Sequence, residues 1–295
     1  MPELPDVTVY VERLSDRLVG ERLERVRIAN PFVLRTVEPP VRSAEGRRVE
    51  DIRRIGKRIA VGLEEELWLV VHLMIAGRLR WRPAGAPVPK SNGLAGLDFE
   101  RGTVLFTEAG RKRRASLHVV QGNNALAPFD RGGVEVLDAT REEFRAAITA
   151  ENHTLKRSLT DPRILSGIGN AYSDEILHAA RLSPFKQTGA LDDEETARLY
   201  EAVRSTLVVW TERLRAEVGD GFPEKVTAFR DEMAVHGRYR RPCPACGTAV
   251  QRIVYASNEA NYCPRCQTGG RLLADRALSR LLKRSWPKTI EEMEG

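Results

Sequence analysis

The sequence predicts an α+β fold: an N-terminal β-sandwich with a leading helix, a helical middle domain and a small C-terminal β-hairpin. Three observations carry this. Residues 6–19 repeat apolar side chains at helical spacing, and short Val/Ile/Leu-rich runs follow to about residue 120. From about 130 the pattern becomes helical. All four cysteines of the 295-residue chain fall between 243 and 266.

In the leading helix, Val7, Val11, Leu14 and Leu18 are spaced by four, three and four residues, and Gly20 is a natural stop. The runs "RLERVRIA", "RIAVGL", "LWLVVHLM", "TVLFTE" and "SLHVV" read as strands of a sandwich or barrel, and "PAGAPVPKSNG" (83–93) as a loop between two of them. "DATREEFRAAIT" and "DDEETARLYEAVRSTLVVWTERLRAEVG" read as helices. In the second, Tyr200, Val203, Leu207, Trp210, Leu214 and Val218 form one core stripe. "RLLADRALSRLLKRSW" reads as an amphipathic helix with a leucine face and a basic face. The domain boundaries expected are 1–122, 130–236, 237–270 and a basic extension at 271–295.

A hydrophobic fraction of 42% and a charged fraction of 30% indicate a globular chain. No apolar run approaches the roughly 18 residues of a membrane span, and no signal peptide is read. The expectation is a cytoplasmic protein without a membrane partner. Residues 236–295 hold 11 Lys/Arg and 5 Asp/Glu, so 11 − 5 = +6, the whole net charge of the chain. A basic end of this kind suits a polyanion, although a solvated basic tail has the same composition.

The cysteines form two pairs, Cys243-x2-Cys246 and Cys263-x2-Cys266, with sixteen residues between them. Each pair places two thiolates on one tight turn. Together they supply four sulfur ligands, a closed tetrahedral site for one structural Zn²⁺. The intervening "GTAVQRIVYASNEANY" suits a β-hairpin. Such fingers bind nucleic acid, protein or neither, so zinc alone gives no function.

"LSGIGNAYSDEIL" (165–177) sets Gly167 and Gly169 around Ile168 before a helix, with Asn170 next and Lys156 on the preceding helical segment. Backbone N–H groups, an amide and an ammonium converging at a helix start form a phosphate site. A plain turn with an exposed lysine is the bland alternative. The basic runs "GRKRRAS" (110–116), which includes Arg113 and Arg114, and "RRIGKRIA" (53–60), which includes Lys57, read as loops facing phosphate or solvent.

The chain opens "MPELPD". Methionine before a small residue is usually removed in the cytoplasm, which would leave Pro2 with a free secondary amine. An α-amino group has a pKa near 7.7–8.0, so roughly a tenth is neutral at pH 7, far more than for a lysine. A secondary amine that attacks an aldehyde or acetal carbon gives an iminium cation, an electron sink that permits β-elimination. Glu3 can act as acid or base at the same carbon. Asp6 sits where its charge favours the helix dipole. A simple lead-in to the helix is the competing reading.

Taken together, these segments resemble the formamidopyrimidine-DNA glycosylase/endonuclease VIII (Fpg/Nei) family over nearly the whole chain. "MPELPDV" is similar to its N-terminal motif and "RRIGK" to the hairpin that carries its catalytic-domain lysine. "LKRSLTDPRILSGIGNAYSDEILHAARLSP" is similar to its helix–two-turn–helix, and "CPACGTAVQRIVYASNEANYCPRCQ" to its zinc finger. The resemblance implies a base-excision-repair enzyme that flips a damaged base out of duplex DNA and cleaves its glycosidic bond. It implies a DNA-formamidopyrimidine glycosylase with abasic-site lyase activity, a monomer associated with the nucleoid, using one zinc and no nucleotide cofactor. By position, Pro2 would be the Schiff-base nucleophile at C1′ and Glu3 would assist base departure and ring opening. Asp6 would support the amine. Lys57 would contact phosphate beside the lesion, while Lys156 and Asn170 would hold the backbone. β- and δ-elimination would then cut the strand.

The chain departs from the family pattern in four places. Asp6 stands where glutamate is usual. Ile75 takes the position of a wedge methionine, with Met74 one residue away. The later loop has no wedge phenylalanine. Asn258 occupies the place of the phosphate-binding arginine of the finger, with Arg252 and Arg265 as possible substitutes. The tail continues 29 residues past Cys266, where family members commonly end soon after the last cysteine. These departures keep open a non-catalytic or weakly catalytic zinc-finger protein that binds damaged DNA, and a zinc ribbon that acts on other proteins. The preferred lesion is not legible.

Overall fold

In the computed structural model, residues 1–110, 112–255, 258–274 and 287–294 are described. The chain divides into two compact units. The first comprises residues 1–131 and 210–227, and the second 132–209 and 228–295.

The first unit opens with helix α1 (Leu4–Leu18). Its Val7, Leu14 and Leu18 enter the main core cluster, as the apolar spacing predicts; Tyr10 joins them, and Val11 is only partly buried against the cluster. Eight strands follow: β1 (Leu23–Ile28), β2 (Val49–Ile55), β3 (Arg58–Leu63), β4 (Leu67–His72), β5 (Gly77–Arg82), β6 (Gly93–Phe99), β7 (Gly102–Glu108) and β8 (Ser116–Gln121). They form two four-stranded antiparallel sheets, ordered β1-β6-β7-β5 and β2-β3-β4-β8. Strands β2, β5 and β6 are additional to the five predicted runs.

Strand β4 is buried along nearly its whole length. One face meets the main core. The other packs Trp68 and Val70 with Ala60 and Leu126 into a second cluster. A strand covered on both sides reads as a continuous apolar run, which explains "LWLVVHLM". By contrast β5 alternates: Leu79 is buried, while Arg80 and Arg82 pair with Glu224 at 2.9 and 2.7 Å.

The second unit contains α2 (Arg141–Thr149), α3 (Leu155–Thr160), α4 (Asn170–Ala179) and most of α5 (Asp193–Val218). Helix α2 starts at a capping box: the Thr140 hydroxyl accepts the Glu143 N–H at 3.2 Å, and the Glu143 carboxylate accepts the Thr140 N–H at 2.8 Å. On α5, Val203, Leu207, Trp210 and Leu214 are buried, as the stripe predicts, while its ends, Tyr200 and Val218, are half-buried. Strands β9 (Gln251–Tyr255) and β10 (Asn258–Tyr262) make the antiparallel hairpin, followed by α6 (Pro264–Thr268) and α7 (Ile290–Glu294). The expected amphipathic helix at 271–286 lies almost wholly outside the described residues.

Candidate active site and zinc centre

The N-terminus is enclosed in the first unit. Pro2 and Glu3 are buried, and Glu3 is only 2% exposed. Glu3 caps α1 through its backbone, donating its N–H to the Asp6 carboxylate at 3.0 Å. Asp6 therefore fixes the backbone that carries the first three residues. The α-amino group of Met1 is held below its ordinary pKa, first by burial. Glu3 and Asp6 oppose that shift, while Arg78 and Lys57 add to it. Two carboxylates and two cations thus act on this terminus.

Lys57 occupies the second position of a two-residue turn between β2 and β3, closed by the Ile55–Arg58 pair. Gly56 precedes it with φ +58°. Glycine at the first central position suits a hairpin turn of type II′. Burial, followed by Arg58, lowers the Lys57 pKa, and Glu3 opposes. Arg78 is anchored by a bond from its Nε to the Val226 carbonyl at 2.7 Å. The neighbouring His72 is pushed down to about 4 by burial, with Arg58, Lys57 and His118 acting in the same direction. It is a neutral imidazole at pH 7.

Two loops of this unit bear other predicted residues. Ile75 lies in the β4–β5 turn and is 63% exposed, whereas Met74 is half-buried with φ +53°. Between β7 and β8, Arg113 and Arg114 are exposed. The buried Glu108 carboxylate fastens that loop by accepting the N–H groups of Arg114 and Ala115 at 3.0 and 3.1 Å.

In the second unit the glycine turn leads into α4. Gly167 has φ +82°, Gly169 is the N-cap of α4, and Asn170 is half-buried. The structure places Lys156 differently from an exposed phosphate ligand. It is 4% exposed, and its ammonium donates to the Asn170 carbonyl and the Ser173 hydroxyl, both at 2.7 Å, and to Asp174. An ammonium has three protons, so all three are used in bracing the first turn of α4. The other Asp174 oxygen accepts from His236 Nδ1 at 2.7 Å and Asn261 Nδ2 at 3.2 Å. A buried network thereby joins the glycine turn to the hairpin.

The four Sγ atoms of Cys243, Cys246, Cys263 and Cys266 lie within 4.8 Å of one another. Two of the separations are 3.9 and 3.4 Å. These bracket the ~3.8 Å edge of a sulfur tetrahedron with bonds of about 2.3 Å. Burial raises the Cys246 pKa, but the Thr248 hydroxyl and N–H, with hydrogen bonds to Cys263 and Cys266, outweigh it and bring the thiol to about 6. Four sulfurs in this arrangement fit one structural zinc. Asn258 opens β10 opposite Tyr255, and its side chain lies outside the described residues. Arg252 stacks on Tyr239 at 4.4 Å and pairs with Glu259 at 3.5 Å, while Arg265 is exposed.

Three family models match in series: the formamidopyrimidine-DNA glycosylase N-terminal domain over residues 1–115, its H2TH domain over 134–215, and the zinc finger found in FPG and IleRS over 241–269. Formamidopyrimidine-DNA glycosylase of Thermus thermophilus is 35% identical over 280 residues, covering 92% of this chain and 100% of the relative. The chain belongs to the formamidopyrimidine-DNA glycosylase family. The crystal structure of the MutM (Fpg) protein of the same organism superposes with a TM-score of 0.76 at 33% identity, covering 90% of this chain and 98% of that one. A complex of Lactococcus lactis Fpg with DNA containing an abasic site shares the fold, with a TM-score of 0.78 at 22% identity over 90% and 99% of the two chains.

Membership makes this glycosylase a DNA-binding repair enzyme with one structural zinc. Several of its polar groups have no mark in the sequence. Arg78 and Glu108 look like strand residues, and only the pairing of β5 with β7 brings them to one edge, with Gly77 opposite Glu108. Asp174 and His236 are 62 residues apart, and no local pattern links them.

Proposed function

We propose that this glycosylase excises a damaged base and then cleaves the strand, with Pro2 as nucleophile after removal of Met1. The supporting observation is the enclosed start of the chain: Pro2 and Glu3 are buried, Asp6 holds the Glu3 backbone, and the charges of Glu3, Asp6, Lys57 and Arg78 all act on the terminus that Met1 occupies. Pro2 attacks the sugar C1′ as the bond from C1′ to the base breaks. Protonation of the ring oxygen by Glu3 opens the sugar and leaves an iminium between Pro2 and C1′. Loss of a C2′ proton expels the 3′ phosphate, and a second elimination expels the 5′ phosphate. Attack of water on the iminium carbon then releases the sugar fragment as an aldehyde and returns the Pro2 amine.

Lys57 supplies a cation for a phosphate beside the lesion, and Arg113 and Arg114 supply charge on the exposed loop. Gly167, Gly169 and Asn170 hold a backbone phosphate at the start of α4, with Lys156 bracing that turn. Ile75, an exposed β-branched side chain at a loop tip, fills the gap left by the flipped base. Asn258 contacts phosphate as an amide. The proposed partner is damaged double-stranded DNA bound by a monomer that uses no nucleotide cofactor.

Borohydride trapping on a duplex containing an abasic site tests this reading. Wild type is expected to form a covalent adduct whose mass places the sugar on Pro2, and Pro2→Gly to trap far less. Equal trapping by Pro2→Gly, or a mature protein that retains Met1 and still cleaves, would refute the Pro2 mechanism.

A further inference from the structure

Four thiolates around one Zn²⁺ leave a net charge of −2, and Cys243 and Cys263 are both buried. Negative sulfur removed from water requires N–H or O–H donors, and these tune the metal as well as orient its ligands. Among the described residues, the finger supplies two of them from its own turns. Thr248 donates to Cys246, and the Cys266 N–H donates to Cys263 at 3.5 Å. For Cys243 the donor comes from outside the finger. His178, on the last turn of α4, places Nε2 3.2 Å from the Cys243 sulfur.

We propose that His178 is a positioning residue of the zinc centre, donating its Nε2–H to the zinc-bound thiolate of Cys243. The distance is that of an N–H···S hydrogen bond, so the ring completes the surroundings of the sulfur and does not replace it as a ligand. The thiolate selects the tautomer with hydrogen on Nε2. Three further ties hold the same helix region to the finger and to the segment just before it. Glu175 accepts the N–H groups of Ala234, Val235 and His236 at 2.7–2.9 Å. Asp174 accepts from Asn261 of β10, and the Gln267 amide donates to the Leu182 carbonyl at 2.9 Å. His178 differs from these because its ring meets the sulfur of a metal ligand, whereas Gln267 accepts only the backbone N–H of Cys263. Helix α4 therefore begins at the glycine turn and ends at a zinc thiolate.

Exchanging ¹¹³Cd for zinc in the ¹⁵N-labelled full-length protein gives a direct readout. A proton resonance of the His178 imidazole is expected to correlate with ¹¹³Cd through the N–H···S bond, and its absence in wild type would overturn the assignment. Zinc transfer to a chromogenic chelator provides a second readout. His178→Phe, which keeps a flat ring but has no donor, is expected to release zinc about tenfold faster. Its cobalt-loaded form should show the thiolate-to-metal charge-transfer band at longer wavelength. His178→Gln, which keeps an N–H, should stay within about twofold of wild type. If His178→Phe releases zinc like wild type, or His178→Gln is as fast as His178→Phe, the ring only packs and the proposal fails.

Discussion

Lys156 illustrates how burial changes what a residue does. Its charge is compensated by Asp174, and its remaining protons by the Asn170 carbonyl and Ser173 hydroxyl. Removing one partner of a buried pair leaves the other uncompensated, at about 3–5 kcal/mol. Lys156→Met is expected to lower unfolding free energy by that order in urea denaturation, and a loss below about 1 kcal/mol would contradict the bracing role. His72 gives a pH signature. Its folded pKa of about 4 lies below the unfolded 6.5. The unfolded chain therefore binds more protons between these values, and stability is lost as pH falls from about 6.5 to 4. After allowance for solvent screening the loss is about 1–2 kcal/mol. His72→Gln should flatten this part of the stability–pH curve, and an unchanged slope would remove His72 as its source.

At the scale of the element, the β2–β3 hairpin presents Lys57 because two residues close it. Gly56 at φ +58° relieves a conformation that costs a side chain roughly 1 kcal/mol. Gly56→Ala is expected to destabilise by about that amount and to weaken binding to abasic-site DNA beyond what the stability loss explains. Unchanged binding would show that the turn does not need its present geometry. The β7–β8 loop follows a different rule: the buried carboxylate of Glu108 accepts the two N–H groups just before β8. Helix α4 combines both devices, with a glycine entry at one end and His178 beside Cys243 at the other.

At the scale of the whole molecule, charge placement sets how binding responds to salt. The net +6 comes from the C-terminal residues, and the first 235 are balanced overall. Each phosphate left without its cation should make the slope of log K against log salt shallower by about 0.9 for duplex DNA. The double variant Arg113→Ala, Arg114→Ala is expected to lower the slope by up to about 1.8 in a fluorescence-anisotropy titration. An unchanged slope would place that loop away from DNA. No described helix is long and apolar enough to cross a membrane.

The sequence by itself determined α1, most of the core stripe of α5, a basic turn at Lys57 and the four zinc ligands. Each depends on a local rule: a period of 3.6, a glycine at a turn, or two cysteines on one knuckle. The "MPELPD" start, joined to these motifs, also marked the candidate nucleophile. Only the tertiary structure decided what surrounds them. Asp6 acts through the Glu3 backbone, Arg78 adds its charge to those acting on the N-terminus, and Lys156 turns inward to Asp174. His178 meets Cys243 across 65 residues of sequence. Ligand spacing and periodicity are written in neighbouring residues, whereas burial, and with it the availability of a charge, depends on what the fold packs against it.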